Sequence, residues 1–211
     1  INSSLKVEFL YRTKTKEQQT AVEKVINVSK GHRNRPLVLT ADRGRGKSSA
    51  LAIACVQLLD NNNKQGNEKL NIVLTAPHVR SLSVFYQQIA RSFSDNGTDF
   101  SYVKSSKTSI IHSFGSITFI AIDQLIHMSD SLDVSLLLVD EAASIPVHLL
   151  TELAVRYSRI VFSSTVHGYE GAGRGFTLKF QQKLKQFMPQ WRSLHMHEPI
   201  RWRTDDPLEA F

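Results

Sequence analysis

Pro36-Leu37-Val38-Leu39-Thr40, then Ala41-Asp42-Arg43-Gly44-Arg45-Gly46-Lys47-Ser48, then Ser49-Ala50-Leu51-Ala52-Ile53-Ala54-Cys55 follow one another without interruption. The first run is short, apolar and opened by Pro, which predicts a buried strand; the third predicts a helix. A strand, a Gly-rich turn and a helix gather backbone N–H groups and a helix N-terminus around one anion. In such a phosphate-binding loop Lys47 reaches the terminal phosphates of a nucleotide and the Ser48 hydroxyl binds Mg²⁺. Asp42, Arg43, Gly44, Arg45, Gly46 and Ser49 complete the candidate nucleotide-binding set around them. The bland alternative is a Gly/Arg surface turn, which the flanking strand and helix disfavour. Ala41 stands where the G-x-x-x-x-G-K-[ST] pattern has its first Gly, so a left-handed backbone is not cheaply available there.

Farther along, Ser135-Leu136-Leu137-Leu138-Val139 ends in Asp140-Glu141. A buried strand with an acidic carboxyl end can present Asp140 beside the phosphate loop, where it holds Mg²⁺ through water. Glu141 then polarises the attacking water, which favours hydrolysis over nucleotide binding alone. The competing explanation is an acidic cap on the helix beginning near Ser144-Ile145-Pro146, where carboxylates are favoured in any protein. Gln18 is a further candidate: Thr15-x-x-Gln18-x-x-Ala21-Val22 precedes the loop, and a side-chain amide offers the donor and acceptor that an adenine edge needs. The same Gln18 also fits an ordinary capping box with Thr15. The A-x-x-G-x-G-K-[ST] spelling and the Thr15-x-x-Gln18 run both resemble those of nucleic-acid helicases. So does Phe162-Ser163-Ser164-Thr165, similar to a Ser/Thr motif that couples the nucleotide to a nucleic-acid surface.

Strand-like and helix-like segments alternate along the chain, which predicts an α/β fold with a mostly parallel sheet flanked by helices. A helix is expected from Thr15 to about Val28, with Ala21, Val22, Val25 and Ile26 on one face, and the helix after the loop is expected to stop near Leu59. Residues 60–69 are expected as a polar loop, 71–75 as a strand, 81–93 as a helix and 94–109 as an exposed insertion. Strands follow at 117–122, 136–139, 160–164 and 192–196, with a helix at 177–187. The loop Val166-His167-Gly168-Tyr169-Glu170-Gly171-Ala172-Gly173-Arg174-Gly175-Phe176 combines four Gly with two aromatic rings and an Arg, which suits a lid or an RNA-facing loop.

The chain has 211 residues, 41% of them hydrophobic, enough for one substantial core, and a net charge of +7. All of the excess charge lies in residues 1–50. It serves either the nucleotide loop and a solvated helix or an electrostatic footprint for RNA or DNA. One cysteine, Cys55, excludes an internal disulfide and a cysteine-cluster metal site. No apolar run approaches the roughly 20 residues of a membrane span, no signal-peptide pattern is read at the start of the chain, and a cytoplasmic protein is expected. The first residue is Ile1 rather than Met, as expected of a piece cut from a longer protein. His195-x-His197 shares one strand face without an evident third ligand, and no metal site is expected there.

The chain resembles the bacterial-type tRNA(Met) cytidine acetyltransferases, ATP-dependent RNA acetyltransferases that carry a helicase-like module. The resemblance rests on residues 39–48, on Leu138-Val139-Asp140-Glu141-Ala142-Ala143-Ser144-Ile145-Pro146, on 165–176, on Glu198-Pro199-Ile200-Arg201-Trp202 and on Asp206-Pro207-Leu208-Glu209. It spans about Gln18 to Glu209. Ser144 and Ala172 depart from the family's usual Ala and Thr, both small changes. The resemblance implies a RecA-like P-loop NTPase domain over 15–197, a lead-in over 1–14 from a preceding domain, and a linker over 198–211 toward an acetyltransferase domain outside this chain. It implies a parent enzyme that acetylates the wobble cytidine of elongator tRNA(Met) from acetyl-CoA while hydrolysing ATP. Acetyl-CoA is not expected to bind this chain, because no Gly satisfies the Gln/Arg-x-x-Gly-x-Gly/Ala loop of the acetyltransferase domain. Arg201 resembles a residue that reaches the nucleotide or couples it to the next domain; a charge near a domain boundary is the alternative.

ATP with Mg²⁺ is thus the expected cofactor pair, and tRNA and the flanking domains are the expected partners, with no membrane. The chief alternative is a RecA-like lobe of an RNA or DNA helicase that remodels nucleic acid without acetylation. A non-catalytic nucleotide-gated module would carry a degraded Lys47 or Glu141, and neither is degraded. A small-molecule P-loop kinase fits poorly with the adjacent Asp140-Glu141.

Overall fold

A computed structural model describes residues 13–65, 68–96, 101–102, 108–128, 133–166 and 172–200. The chain opens with α1 (Lys16–Lys30), then β1 (Leu37–Ala41), α2 (Lys47–Gln65) and β2 (Leu70–Thr75). A 3-10 turn (Val79–Leu82) leads into α3 (Ser83–Asn96), followed by β3 (Ser101–Tyr102), β4 (Ser109–His112), β5 (Gly115–Phe119) and α4 (Ile122–His127). The second half comprises β6 (Leu136–Val139), a 3-10 turn (Ala142–Ser144), α5 (Val147–Arg156), β7 (Ile160–Thr165), α6 (Ala172–Phe187) and β8 (Arg192–Met196).

The eight strands among the described residues form one sheet in the order β3-β4-β5-β2-β6-β7-β1-β8. Every pairing from β5 to β8 is parallel, and only β3/β4 and β4/β5 are antiparallel. Side chains alternate between faces along a strand, and the core divides accordingly. Leu37, Leu39 and Ala41 of β1 pack with α1, α2 and α3, whereas Val38 joins α4, α5 and α6 on the other face. Leu136 and Leu138 of β6 take the first face and Leu137 and Val139 the second. Both faces are therefore buried, which is why β6, and β1 apart from Thr40, are apolar throughout instead of alternating. This is the expected α/β architecture with a mostly parallel sheet flanked by helices.

Several expected boundaries shift. The helix after the loop does not stop near Leu59; α2 runs on to Gln65, through Asn61-Asn62-Asn63. Asn62 is buried and donates from Nδ2 to the carbonyls of Glu68 and Phe114. With its amide engaged across space, it no longer competes with its own helical backbone, the usual reason Asn favours loops. The expected insertion over 94–109 is only partly that. Helix α3 extends to Asn96, and Ser109 opens the antiparallel strand β4, whose Ile110 is fully buried. Helix α4 is not among the expected elements; Arg156 of α5 holds its C-terminal end by donating to the carbonyls of Leu125, Ile126 and Met128. Helix α6 begins at Ala172, five residues earlier than expected, so the last five residues of the Gly-rich loop are helical. Residues 167–171 of that loop lie outside the described residues.

Candidate nucleotide site

The site forms at the carboxyl ends of β1, β6 and β7, three neighbouring strands with β7 in the middle. Ala41 is the last residue of β1, paired with Thr165 on one side and Met196 on the other. The strand thus runs through the position where other phosphate loops turn on Gly, and no left-handed residue is needed there. The turn comes later, at Gly44 (φ 77°) and Gly46 (φ 76°), where L side chains are strained. Helix α2 starts at Lys47, and its first turn holds no acidic residue, so the positive end of the helix dipole is not neutralised by its own sequence. The Ala50 N–H already donates to the Gly46 carbonyl, leaving the N–H groups ahead of it directed into the loop.

Lys47 is only 8% exposed and Asp140 only 2%. The Ser48 hydroxyl donates to Asp140 Oδ2 at 3.0 Å, joining two residues that sit 92 positions apart. Asp140 Oδ1 accepts the Glu141 N–H at 2.9 Å. The Asp140 carboxylate is therefore aimed at the loop and at its own turn, not at the N-terminus of α5, whose cap is Pro146. That disposes of the helix-cap alternative for Asp140. Glu141 adopts a left-handed backbone (φ 52°, ψ 39°), which reverses the chain immediately after β6. The donor set fits Mg²⁺: two hard oxygen donors stand 3.0 Å apart, close to the spacing of neighbouring ligands about an ion that binds oxygen at ~2.1 Å. Arg45 Nε is buried without a hydrogen-bond partner among the described residues, an orphaned cationic donor that an anion would satisfy. Asp42 and Ser49 are partly exposed at the loop, and Arg43 and Gly44 are exposed.

Gln18 meets the loop by an unexpected route. Thr15 caps α1 by accepting the Gln18 N–H, as the capping box requires, but the Gln18 side chain does not return to Thr15. Its Oε1 accepts the Lys14 N–H at 2.8 Å, and its Nε2 donates to the Gly46 carbonyl at 3.2 Å. Ser164 connects the remaining motif: its hydroxyl accepts the Ala143 N–H at 3.2 Å, two residues after Glu141. Below the loop, Thr40 Oγ1 and His195 Nδ1 lie 2.8 Å apart and the His195 and His197 rings are in contact. Burial, then the neighbouring His197, lowers the His195 pKa, against smaller opposing effects of Asp42 and Glu17.

One contact at the loop comes from a residue to which the motifs gave no role. Ile200, only 8% exposed, seats on Gly46 so closely that a Cβ there would lie 2.0 Å from Ile200 Cδ1 and 2.7 Å from Gln18 Nε2. The chain leading to it is held as well: the N–H groups of His197 and Glu198 both donate to Glu17 Oε2, the second at 2.7 Å. Residues 198–200, the start of the expected linker, thus lie across α1 and the phosphate loop. The signal for Ile200 in the sequence was its place in the Glu198-Pro199-Ile200-Arg201-Trp202 run, which carried a resemblance but gave Ile200 no role. Arg201 lies outside the described residues.

Residues 38–211 match the family described as RNA cytidine acetyltransferase NAT10/TcmA, helicase domain. The chain is 43% identical over 195 residues to a tRNA(Met) cytidine acetyltransferase of Vibrio cholerae, covering 92% of this chain and 25% of that protein. It is 41% identical over 198 residues to the corresponding protein of Nitrosococcus halophilus, covering 94% of this chain and 24% of that one. The chain therefore spans about a quarter of the length of these curated relatives. In fold it is similar to the large terminase of a thermophilic bacteriophage solved with ADP, with a TM-score of 0.58 at 15% identity over 93% of this chain and 47% of the terminase. That likeness supports the RecA-like P-loop NTPase fold. No helix among the described residues is long and apolar enough to cross a membrane.

Proposed function

Because the chain belongs to the RNA cytidine acetyltransferase NAT10/TcmA family, as its helicase-like domain, we propose that it is the ATP-hydrolysing module of a tRNA(Met) cytidine acetyltransferase. The observation that carries this reading is the 3.0 Å hydrogen bond between Ser48 and Asp140, which joins the phosphate loop to the acidic strand end. In this reading the loop N–H groups, Lys47 and Arg45 bind the triphosphate, and the N-terminus of α2 adds its dipole. Ser48 and Asp140 hold Mg²⁺, which when bound neutralises charge developing on the β- and γ-phosphates. Glu141 orients the attacking water and accepts its proton. Gln18 fixes the back of the loop through Gly46 and serves the adenine when its amide is released. Arg201, which belongs to the run that resembles the family's, is proposed to reach the nucleotide or to couple it to the next domain.

The relatives are named tRNA(Met) cytidine acetyltransferases, which supports tRNA(Met) as the substrate of the parent enzyme; acetylation on the N4 amine of the wobble cytidine, with acetyl-CoA bound by another part of the enzyme, completes the proposal. A tRNA substrate supports a cytoplasmic location, which belongs to the same proposal. The test is a pair of variants assayed for nucleotide affinity and phosphate release. Lys47→Ala is expected to lose ATP affinity. Glu141→Gln is expected to keep it and to lose about 10²–10⁴-fold in turnover. Undiminished turnover in Glu141→Gln overturns the role given to Glu141, and undiminished ATP binding in Lys47→Ala overturns the site. Calorimetry should find no acetyl-CoA affinity in this chain.

A further inference from the structure

The basic excess does not all belong to the phosphate loop. A cleft of about 270 Å³ opens at the opposite end of the sheet, where α1 ends and β1 and β8 begin, and Lys24, Lys30, His32, Arg35 and Arg192 line it. No Asp or Glu is among the lining residues, and none is aromatic except His32. Strand β1 runs from Leu37 at the cleft to Ala41 at the nucleotide loop, and at ~3.3 Å per residue the two sites stand more than 10 Å apart. Lys30 alone is explained by the helix, since a cation in the last turn of α1 offsets the negative end of its dipole. The other basic groups, drawn from the body of α1, the segment before β1 and the start of β8, are not.

The cleft is also built to stay in place. Arg35 Nε donates to Gln190 Oε1 at 2.6 Å, which fixes the guanidinium while its terminal nitrogens remain for a ligand. Arg192 opens β8 in register with Leu37, and its N–H donates to the Pro36 carbonyl. Behind them the Gly31 N–H closes α1 onto the Asn27 carbonyl, while Arg159 Nη2 donates to the Gly31 carbonyl. Like charges held together in this way repel one another and cost stability unless a polyanion occupies the site. The absence of a large aromatic ring from the lining argues against base stacking and for contact with the phosphodiester backbone, which carries no sequence information.

We propose that this cleft binds the phosphate backbone of RNA, as a positioning surface separate from the nucleotide site; the choice of RNA as the polyanion rests on the function proposed above. The experiment titrates the whole chain with fluorescently labelled tRNA at several salt concentrations. A Lys24→Gln/Lys30→Gln/Arg35→Gln/Arg192→Gln variant removes four cations, so the slope of log affinity against log salt should flatten by about 3–4. The milder Lys30→Gln/Arg192→Gln variant, which changes only exposed residues, should flatten it by about half as much. Lys179→Gln/Lys183→Gln on the exposed face of α6 should leave the slope unchanged. ATP affinity, read in parallel, should be the same in all. An unchanged slope in the cleft variants with ATP binding intact overturns the cleft. An equal loss in the α6 variant, or displacement of tRNA by polyglutamate at equal charge, also overturns it. Loss of ATP binding in the unaltered chain would instead overturn the function, and the two failures are told apart.

Discussion

Glu141 is held where an L-residue is uncomfortable, at φ 52° and ψ 39°. That conformation costs a non-Gly residue roughly 1–2 kcal/mol, yet it reverses the chain at once. The reversal lets the Glu141 N–H close on Asp140 Oδ1 and lets the Ala143 N–H reach Ser164. Strain of this kind persists where the surroundings over-determine it. Glu141→Gly should therefore stabilise the fold by about 0.5–1 kcal/mol, after allowance for the greater freedom of Gly in the unfolded chain, while abolishing ATP turnover. Differential scanning calorimetry should show a thermal midpoint raised by roughly 1–4 °C, and a lowered midpoint would contradict the strain argument. The type and spacing of Asp140 and Glu141 were legible in the sequence because a carboxylate pair after an apolar strand is a chemical statement. The left-handed backbone was not, because nothing in a Glu announces it. Ala41 is the converse: its departure from the Gly pattern was visible, and its cause, a strand one residue longer than the motif expects, was not.

The β4–β5 hairpin shows how an element can be invisible locally and well determined in three dimensions. Ser109-Ile110-Ile111-His112 is four residues long and offers only two apolar side chains. Its place is set by α3, since His112 stacks on Phe93 at 5.4 Å and Tyr86 donates from its hydroxyl to the Thr108 carbonyl. The Phe114 N–H donates to His112 Nδ1 at 3.3 Å, so that nitrogen must be unprotonated. Burial lowers the His112 pKa, with Asp60 opposing it weakly. A histidine lowered in the folded state binds fewer protons there than in the unfolded chain. Its contribution is complete above the unfolded value of about 6.5 and is lost as pH falls through the folded value. His195 acts in the same direction. Thermal midpoints measured from pH 7.5 down to pH 5 should fall, and His112→Asn, which keeps an acceptor but does not titrate, should reduce the fall without removing it. An identical pH dependence in the variant would exclude His112. The long, periodic helices α1 and α2 are legible in the sequence with their cores, whereas the C-terminal turns of α2 depend on Asn62 reaching the carbonyls of Glu68 and Phe114, which no window of sequence contains.

At the scale of the molecule, the largely apolar runs of β1 and β6 already pointed to a sheet covered on both faces, and the two-sided core is the result. Strand order was less accessible: β7 comes between β1 and β6, and its register on β1 joins Leu37 to Val161, a separation of which local pattern carries no record. A comparable distance separates the tail from the loop it covers. Ile200 on Gly46, with Glu17 gripping the two N–H groups behind it, makes this attachment a mechanical one. Tension applied to the polypeptide beyond Ile200 is delivered first to the loop proposed to hold the phosphates, before any strand is sheared. Pulled from its C-terminus in an optical trap, the chain should yield at this strap in a small early event, and saturating ATP should raise the load at which it yields. If the early event is absent in the wild-type chain, or is unmoved by Ile200→Ala, Ile200 bears no load. Where the event is present, the phosphate loop works as a mechanical joint whose grip is set by what it holds.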